Sequence, residues 1–281
     1  MELKVSDISA VVCARNEEHR IEECLLSLSK ARVGEIILVD GRSSDSTVVK
    51  AKETGLCDMI CYDEGKGLGA ARNVGVRKSS KKYILNFGVD NQIDFNNLNL
   101  MLNEFADPNI AGVSAITIVQ GSTYIQSAMN IYKLGRFYPE KRAVIGTPTL
   151  FEAELLKKFE YDESRVYSDD AELCHRISQK TGKHFIIADA QTIEFGDQNL
   201  YDVISRWKLY GLSDYEVYTA ESVDWSFSRK VRSFLHPIRE ELLKPIRKVG
   251  FLRGLYFAPF GIFITIVRYR GWLGSIIKSN H

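Results

Sequence analysis

The sequence lacks several features that would assign a class at once. It has no phosphate-binding G-x-x-x-x-G-K-[ST] loop, so the P-loop nucleotidases are set aside. It has no internal repeat and no low-complexity segment, which excludes solenoids and long flexible tracts. Cysteines number five (Cys13, Cys24, Cys57, Cys61 and Cys174). Cys57 and Cys61 are four apart with no second pair at zinc spacing, so reduced thiols in the cytoplasm are expected rather than a disulfide or zinc framework. The first residues, Met1 to Asp7, carry no apolar signal region, and secretion is not expected. The longest apolar run, Leu255 to Val267, has thirteen residues. A membrane-spanning helix needs about 20.

Net charge is also nearly absent, at +1 over 281 residues, but only in the total. Residues 228–281 hold eleven Lys and Arg against Glu240 and Glu241, a net +9, which leaves −8 on residues 1–227. An acidic body with a basic tail points to an anionic partner for the tail, either membrane or nucleic acid. The apolar run is bracketed by Arg253 on one side and by Arg268, Tyr269, Arg270 and Trp272 on the other. That arrangement suits a helix or hairpin lying in a membrane interface, with a helix packed on the body as the plainer alternative. Interleaved aromatics also stack bases, but the apolar run suits lipid better. Residues 228–278 are therefore assigned to an anionic membrane surface, and no nucleic-acid partner is expected.

What is present is a full globular composition, 45% hydrophobic and 26% charged, enough for a core without disulfides. Strand-like apolar runs at 8–14, 35–40, 58–62, 83–88 and 111–119 alternate with helical spacing such as Ile21, Cys24, Leu25 and Leu28. Residues 95–105 suit a helix. The alternation argues an α/β fold with a doubly wound, mostly parallel sheet and helices on both faces. Several strands end on chemistry. The second finishes on Asp40, and the fourth leaves the sheet at Gly88 and reaches Asp90. The carboxyl edge of such a sheet is where ligands bind. A carboxylate at 90 would hold a divalent cation or a ribose there, or would only cap a turn. The run from Gly65 to Asn73 is a glycine-rich loop opening a helix, suited to phosphate, with Lys66 and Arg72 adding charge. Beyond, 142–151 is strand-like, 152–159 helical, 184–189 a strand and 200–218 an amphipathic helix. Asp169, Asp170 and Glu172 fall at a helix start, where negative charge is stabilised and where a plain cap would also sit.

The order of these pieces resembles family 2 glycosyltransferases with the GT-A fold, over about residues 7–220. The motifs are 12–18 after the first strand, 39–47 after the second, Gly67 to Asn73 ending in Ala71-Arg72-Asn73, Asp90, and Ser168-Asp169-Asp170. The resemblance implies an inverting transfer of a sugar from a UDP- or GDP-sugar donor. It implies that Ala14, Arg15 and Glu17 line the nucleoside pocket and that Asp40 hydrogen-bonds the base. Lys66 and Arg72 would lie near base and diphosphate, and Asp90 would bind a divalent cation, Mg2+ or Mn2+, bridging the phosphates. Asp170 would be the catalytic base, with Asp169 its acidic neighbour. Inverting chemistry needs one carboxylate to take the acceptor's proton and positive charge to stabilise the leaving diphosphate.

Three positions depart from the family pattern. Gly88 stands where the first Asp of Asp-x-Asp would be, so the metal site has one carboxylate fewer. Glu194 stands near the position where many relatives carry a His, and would supply a replacement oxygen ligand or none. Of the processive Q-x-x-R-W motif only Arg206-Trp207 remain, with Val203 in the Gln position, so a processive polymerase is not expected. Arg206 and Trp207 either line the acceptor or donor-sugar side or pack a helix face. The segment 248–256 is similar to the tail of family members that add sugars to lipid-borne glycans. The expectation is a GT-A catalytic domain at 1–226 and a basic, apolar helical segment at 227–281. The protein would be a cytoplasmic enzyme, peripheral at the inner face of the membrane. It would act on a lipid-linked saccharide, a polyprenyl phosphate or a growing surface glycan. A nucleotide-sugar-binding pseudoenzyme or scaffold is the alternative that Gly88 raises.

Overall fold

The computed structural model describes residues 3–63, 65–139, 148–165, 169–195 and 199–279. The chain forms two compact units, residues 1–118 with 137–195, and residues 119–136 with 196–281.

The first unit is built on strands β1 (Ile8–Ala14), β2 (Glu35–Asp40), β3 (Met59–Tyr62) and β4 (Tyr83–Gly88). It continues with β5 (Asn91–Gln92), β6 (Ile110–Val119), β7 (Thr149–Glu152) and β8 (His184–Glu194). These lie in one sheet in the order β3-β2-β1-β4-β7-β6-β8-β5. Parallel pairing joins β3, β2, β1 and β4, whereas β7 is antiparallel to both β4 and β6, and β5 is antiparallel to β8. The α/β, doubly wound reading holds, and its parallel part is the half that carries the strand-end motifs.

Side-chain alternation explains the layers. Ala10, Val12, Ile36, Leu38, Leu85 and Phe87 face one side. Against them pack α1 (Ile21–Lys30) and α4 (Phe95–Asn103), through Cys24, Leu25, Leu28, Leu98 and Met101. Val11, Ile37, Val39 and Ile84 face the other side, under α3 (Leu68–Lys78), α6 (Ala153–Phe159) and α7 (Asp169–Thr181). The short helix α2 (Thr47–Thr54) follows β2. Helix α3 sits very close to the sheet because Gly75 has no side chain. A Cβ there would come within 2.3 Å of Val11 Cγ1 and 3.2 Å of Val39 Cγ2.

The second unit is helical: α5 (Tyr124–Arg136), α8 (Leu200–Glu221), α9 (Phe227–Phe234), a π-helical turn (Ile238–Leu243), α10 (Lys244–Val249) and α11 (Phe251–Ser279). Residues 227–281 thus share their unit with α5 and α8. Helix α11 corrects the length argument made from the thirteen-residue run. It continues for 29 residues through Pro259, and residues 251–274 are long and apolar enough to cross a membrane by length and composition. Pro259 is tolerated with its ring exposed, off the packed face. That face carries Phe257, Phe260, Ile264 and Val267, which cluster with Met129, Tyr132, Val203 and Trp207. Helices α8 and α11 cross at glycines, since a Cβ on Gly211 would lie 2.0 Å from the Arg268 carbonyl oxygen. The charges inside this unit are paired. Glu241, fully buried, accepts from Arg268 Nη1, from Arg136 Nη1 at 3.2 Å and from Trp207 Nε1 at 3.2 Å, while Asp214 takes the other face of Arg268 at 2.6 and 2.8 Å.

Candidate active site

The loops after β1 and β2 are one hydrogen-bonded lattice, which gives a physical reason for their motifs. Asn16 Oδ1 accepts from Ser44 N at 2.8 Å, and Asn16 N donates to Ser43 Oγ at 2.9 Å. Glu17 N donates to Thr47 Oγ1 at 2.8 Å, and Glu18 N donates to Asp45 Oδ2 at 3.1 Å. Gly41 N returns to the Ala14 carbonyl at 2.8 Å. Short polar side chains satisfy backbone groups that leave the sheet edge, as such turns require.

Above this lattice lies a cleft of about 440 Å3, at the carboxyl ends of β1 and β2 and the start of α3. Ala14, Arg15, Arg42, Asp63, Gly65 and Gly67 are in its wall. Gly65 and Gly67 take positive φ, 74° and 109°, which bares the first turn of α3. Cys13 also lines the cleft, and burial pushes its thiol up to about 12, so it is a neutral wall. Asp40 sits lower than expected. It is 1% exposed, its Oδ2 accepts from Ser43 N at 3.0 Å, and its Oδ1 is buried without a hydrogen-bond partner among the described residues. Such an orphan acceptor calls for a donor. Lys66 is exposed on the loop between the two glycines. Glu17 turns to Arg20, 3.0 Å away. Burial raises its pKa, Arg20 counters that rise, and the charge of Asp90 adds to it.

Asp90 belongs to a second, small pocket with Arg20, Glu23, Asn91 and Phe195. Its Oδ1 accepts from Asn91 Nδ2 at 2.7 Å, and its carbonyl accepts from Phe195 N at 2.8 Å. Glu194 pairs across the strands with Asn91, is 5% exposed and does not line that pocket. Among the described residues no three His, Cys, Asp or Glu gather to hold a metal ion. The donor set fits a hard cation by chemistry, an oxygen ligand at Asp90, but only if phosphate oxygens complete the shell, as they commonly do for Mg2+.

The acidic pair opens α7. Ser168 of that motif, and the stretch 142–147 of the strand-like run, lie outside the described residues. Asp169 is 8% exposed, and its Oδ2 accepts from Arg72 Nη1 at 2.6 Å. Arg72 is itself buried and lies over the ring of Tyr161, 5.2 Å from the centroid. Asp170 keeps part of its surface in solvent but has protein on most sides. Desolvation raises its carboxyl above the usual range, Arg72 pulls it down, and Asp169 pushes it up.

The structure thus brings Ala14 and Arg15 to one cleft, Arg72, Asp169 and Asp170 to one cluster, and Asp90 to its own pocket, all in the first unit. Arg206 and Trp207 belong to the second unit. Trp207 is 1% exposed in its core, as in the helix-packing alternative. Sequence reading passed over Asp63, whose Oδ1 accepts from Gly65 N at 3.0 Å in the cleft wall. It sits one residue past β3, so the end-of-strand rule applied to Asp40 and Asp90 reaches it too. Tyr161 carried no motif signal.

Known proteins are similar to this chain in sequence and in fold. The family model for glycosyl transferase family 2 matches residues 9–162. An uncharacterized protein of Methanocaldococcus jannaschii is 35% identical over 95 residues, 32% of this chain and 38% of that relative's length. The mannosyltransferase PcManGT from Pyrobaculum calidifontis, solved with GDP-Man and Mn2+, superposes with a TM-score of 0.64 at 15% identity, over 97% of this chain and 86% of its own. Glucosyl-3-phosphoglycerate synthase from Mycobacterium tuberculosis, solved with Mn2+, UDP and glucosyl-3-phosphoglycerate, gives 0.53 at 17% identity, over 70% and 74%. At these identities the structural likeness is one of fold, and the fold is the GT-A type that the family resemblance implied.

Proposed function

This chain belongs to glycosyl transferase family 2, and on that premise we propose that it is an inverting transferase moving a sugar from a UDP- or GDP-sugar to a membrane-associated acceptor. The observation that carries the reading is the pairing of Asp169 with Arg72, which leaves Asp170 as the carboxylate suited to act as base. The cleft beside α3 takes the nucleotide, with the bared first turn of α3 and Lys66 toward the diphosphate. Asp40 and Asp63 offer acceptors to the base or ribose. A Mg2+ or Mn2+ ion held at Asp90 would neutralise charge on the leaving diphosphate, in keeping with the cations in both solved relatives. Asp170 takes the proton of the acceptor hydroxyl as that oxygen attacks the anomeric carbon, and its raised pKa makes it a better base than an ordinary aspartate.

The acceptor class is read from the second unit. Phe251, Leu252 and Leu255 on α11 are 81%, 80% and 64% exposed, and Phe227 on α9 is 82% exposed. Arg229, Lys230, Arg247, Lys248 and Arg253 lie on the same short stretch of chain. Exposed apolar side chains among cations suit the anionic inner face of a membrane, and hence a lipid-linked saccharide or polyprenyl phosphate acceptor. The non-catalytic reading, a nucleotide-sugar-binding scaffold, is favoured by Gly88, which leaves Asp90 as the one carboxylate of the Asp-x-Asp pattern. Turnover of a panel of UDP- and GDP-sugars with membrane extract, with and without Mn2+, separates the two. Product of inverted anomeric configuration supports the transferase. Nucleotide binding without any turnover supports the scaffold.

A further inference from the structure

Tyr161 stands between the sheet and the acidic pair. Its phenol oxygen accepts from Asn86 Nδ2 on β4 at 3.0 Å. Its backbone N–H donates to Asn73 Oδ1 at 2.8 Å, and its carbonyl accepts from Asn73 Nδ2 at 2.9 Å. The ring is 4% exposed, and the Arg72 guanidinium lies on it before reaching Asp169. Asn86, Tyr161, Arg72 and Asp169 thus form a buried line from the middle of the sheet to the first turn of α7, within one unit.

We propose that Tyr161 is a positioning residue that divides the work of the acidic pair: by seating Arg72 on Asp169 it keeps one carboxylate neutralised and leaves its neighbour Asp170 to take the acceptor's proton. The inference rests on the transferase reading and deepens it.

Two adjacent carboxylates in a poorly solvated site disfavour each other's charge. A guanidinium fixed on one of them breaks that symmetry. Arginine keeps its charge under any relevant condition, and its flat face stacks on an aromatic ring. The ring therefore decides where the cation stands. Two charged groups face Asp170 among the described residues, Arg72 from α3 and Asp169 from its own helix. Tyr161 and Cys174 also lie close, both kept neutral by burial. Of the two charges, Arg72 alone favours the ionised base. Loosening Arg72 leaves burial and Asp169, which both push Asp170 upward, opposed only by the backbone N–H groups of Ala171 and Asp170.

The test compares Tyr161→Leu, which removes the platform, with Tyr161→Phe, which returns the ring and drops only the Asn86 bond. Tyr161→Leu is expected to lower kcat about tenfold or more, with donor KM within about twofold, and to move the acid limb of the kcat profile to higher pH. Tyr161→Phe recovers the wild-type limb and most of the rate. A fall in kcat with an unmoved limb means a merely structural role and overturns the proposal. An NMR titration of the 13C-labelled Asp170 carboxyl, without donor, decides the matter independently of turnover. An upward move in Tyr161→Leu but not in Tyr161→Phe supports the proposal, and identical titrations overturn it. If Tyr161→Leu does not fold, Arg72→Lys, which keeps the charge but loses the flat stacking face, is titrated in its place with the same two outcomes. If the wild type turns over no donor, the transferase reading fails while the titration still reports on Tyr161.

Discussion

Arg72 Nη1 lies 2.6 Å from Asp169 Oδ2 with both residues buried, while Asp170, the next residue, has no cation at that distance among the described residues. Two adjacent aspartates thereby acquire opposite roles in stability. Asp169→Ala leaves a buried guanidinium uncompensated and is expected to cost about 3–5 kcal/mol by denaturant titration. Asp170→Asn removes a charge that burial disfavours, so its unfolding midpoint should stay level or rise. A large loss of stability in Asp170→Asn contradicts this division.

The pH profile follows from the same shift. The base must be ionised to act, and the Asp170 carboxyl is raised above its ordinary 3.8. The acid limb of kcat is therefore expected above that value, with activity rising as pH increases through it. A limb at or below 3.8 counts against Asp170 as the titrating group.

Asp90 bears the metal prediction. In the wild type, Mn2+ should tighten nucleotide binding by about tenfold or more, the range of ordinary coupling between sites. In Asp90→Ala that response should vanish, leaving binding equal with Mn2+ and with EDTA. Calorimetry reads both. An unchanged Mn2+ response in the variant places the cation elsewhere.

In the second unit, Glu241 is held between Arg136 and Arg268. Burial alone would raise its carboxyl, but the two guanidiniums more than offset that and set it below its ordinary 4.5. A depressed carboxylate contributes stability that is present above its unfolded value and is lost as pH falls through the folded one. Unfolding of this unit by acid is thus expected below about 4.5, the unfolded carboxyl range. Glu241→Gln should weaken it at pH 7 and flatten that acid dependence, read by helical circular dichroism.

Gly211 tests the packing that holds α11. Its Cβ position meets backbone, 2.0 Å from the Arg268 carbonyl, so Gly211→Ala must push α8 and α11 away from each other rather than turn a side chain. A loss of about 1–3 kcal/mol is expected. A neutral result means that α8 and α11 cross differently.

Much of this architecture was legible in the residues. The parallel strands are mostly apolar, β2 ends on Asp40 and β4 is followed two residues on by Asp90, so β1, β2 and β4 and the positions of those two acids followed from period and punctuation. The two-residue β5 did not, because its antiparallel partner β8 lies far along the chain, beyond what local pattern encodes. The apolar run of the tail counted only thirteen residues, yet α11 runs for 29 with Pro259 exposed off its packed face. Depth was also hidden. Asp40 lies under its loop, and Trp207, for which the sequence left site and core both open, lies in a core. Tyr161 was invisible because its importance is a stacking contact with a residue 89 positions earlier in the chain.

The most direct measurement of the central claim is sugar transfer by Asp170→Asn beside nucleotide binding by the same variant. Binding is expected to persist at the wild-type level while transfer falls by about 10²–10⁴-fold, the loss typical of a general base. Transfer by Asp170→Asn at the wild-type rate would contradict it.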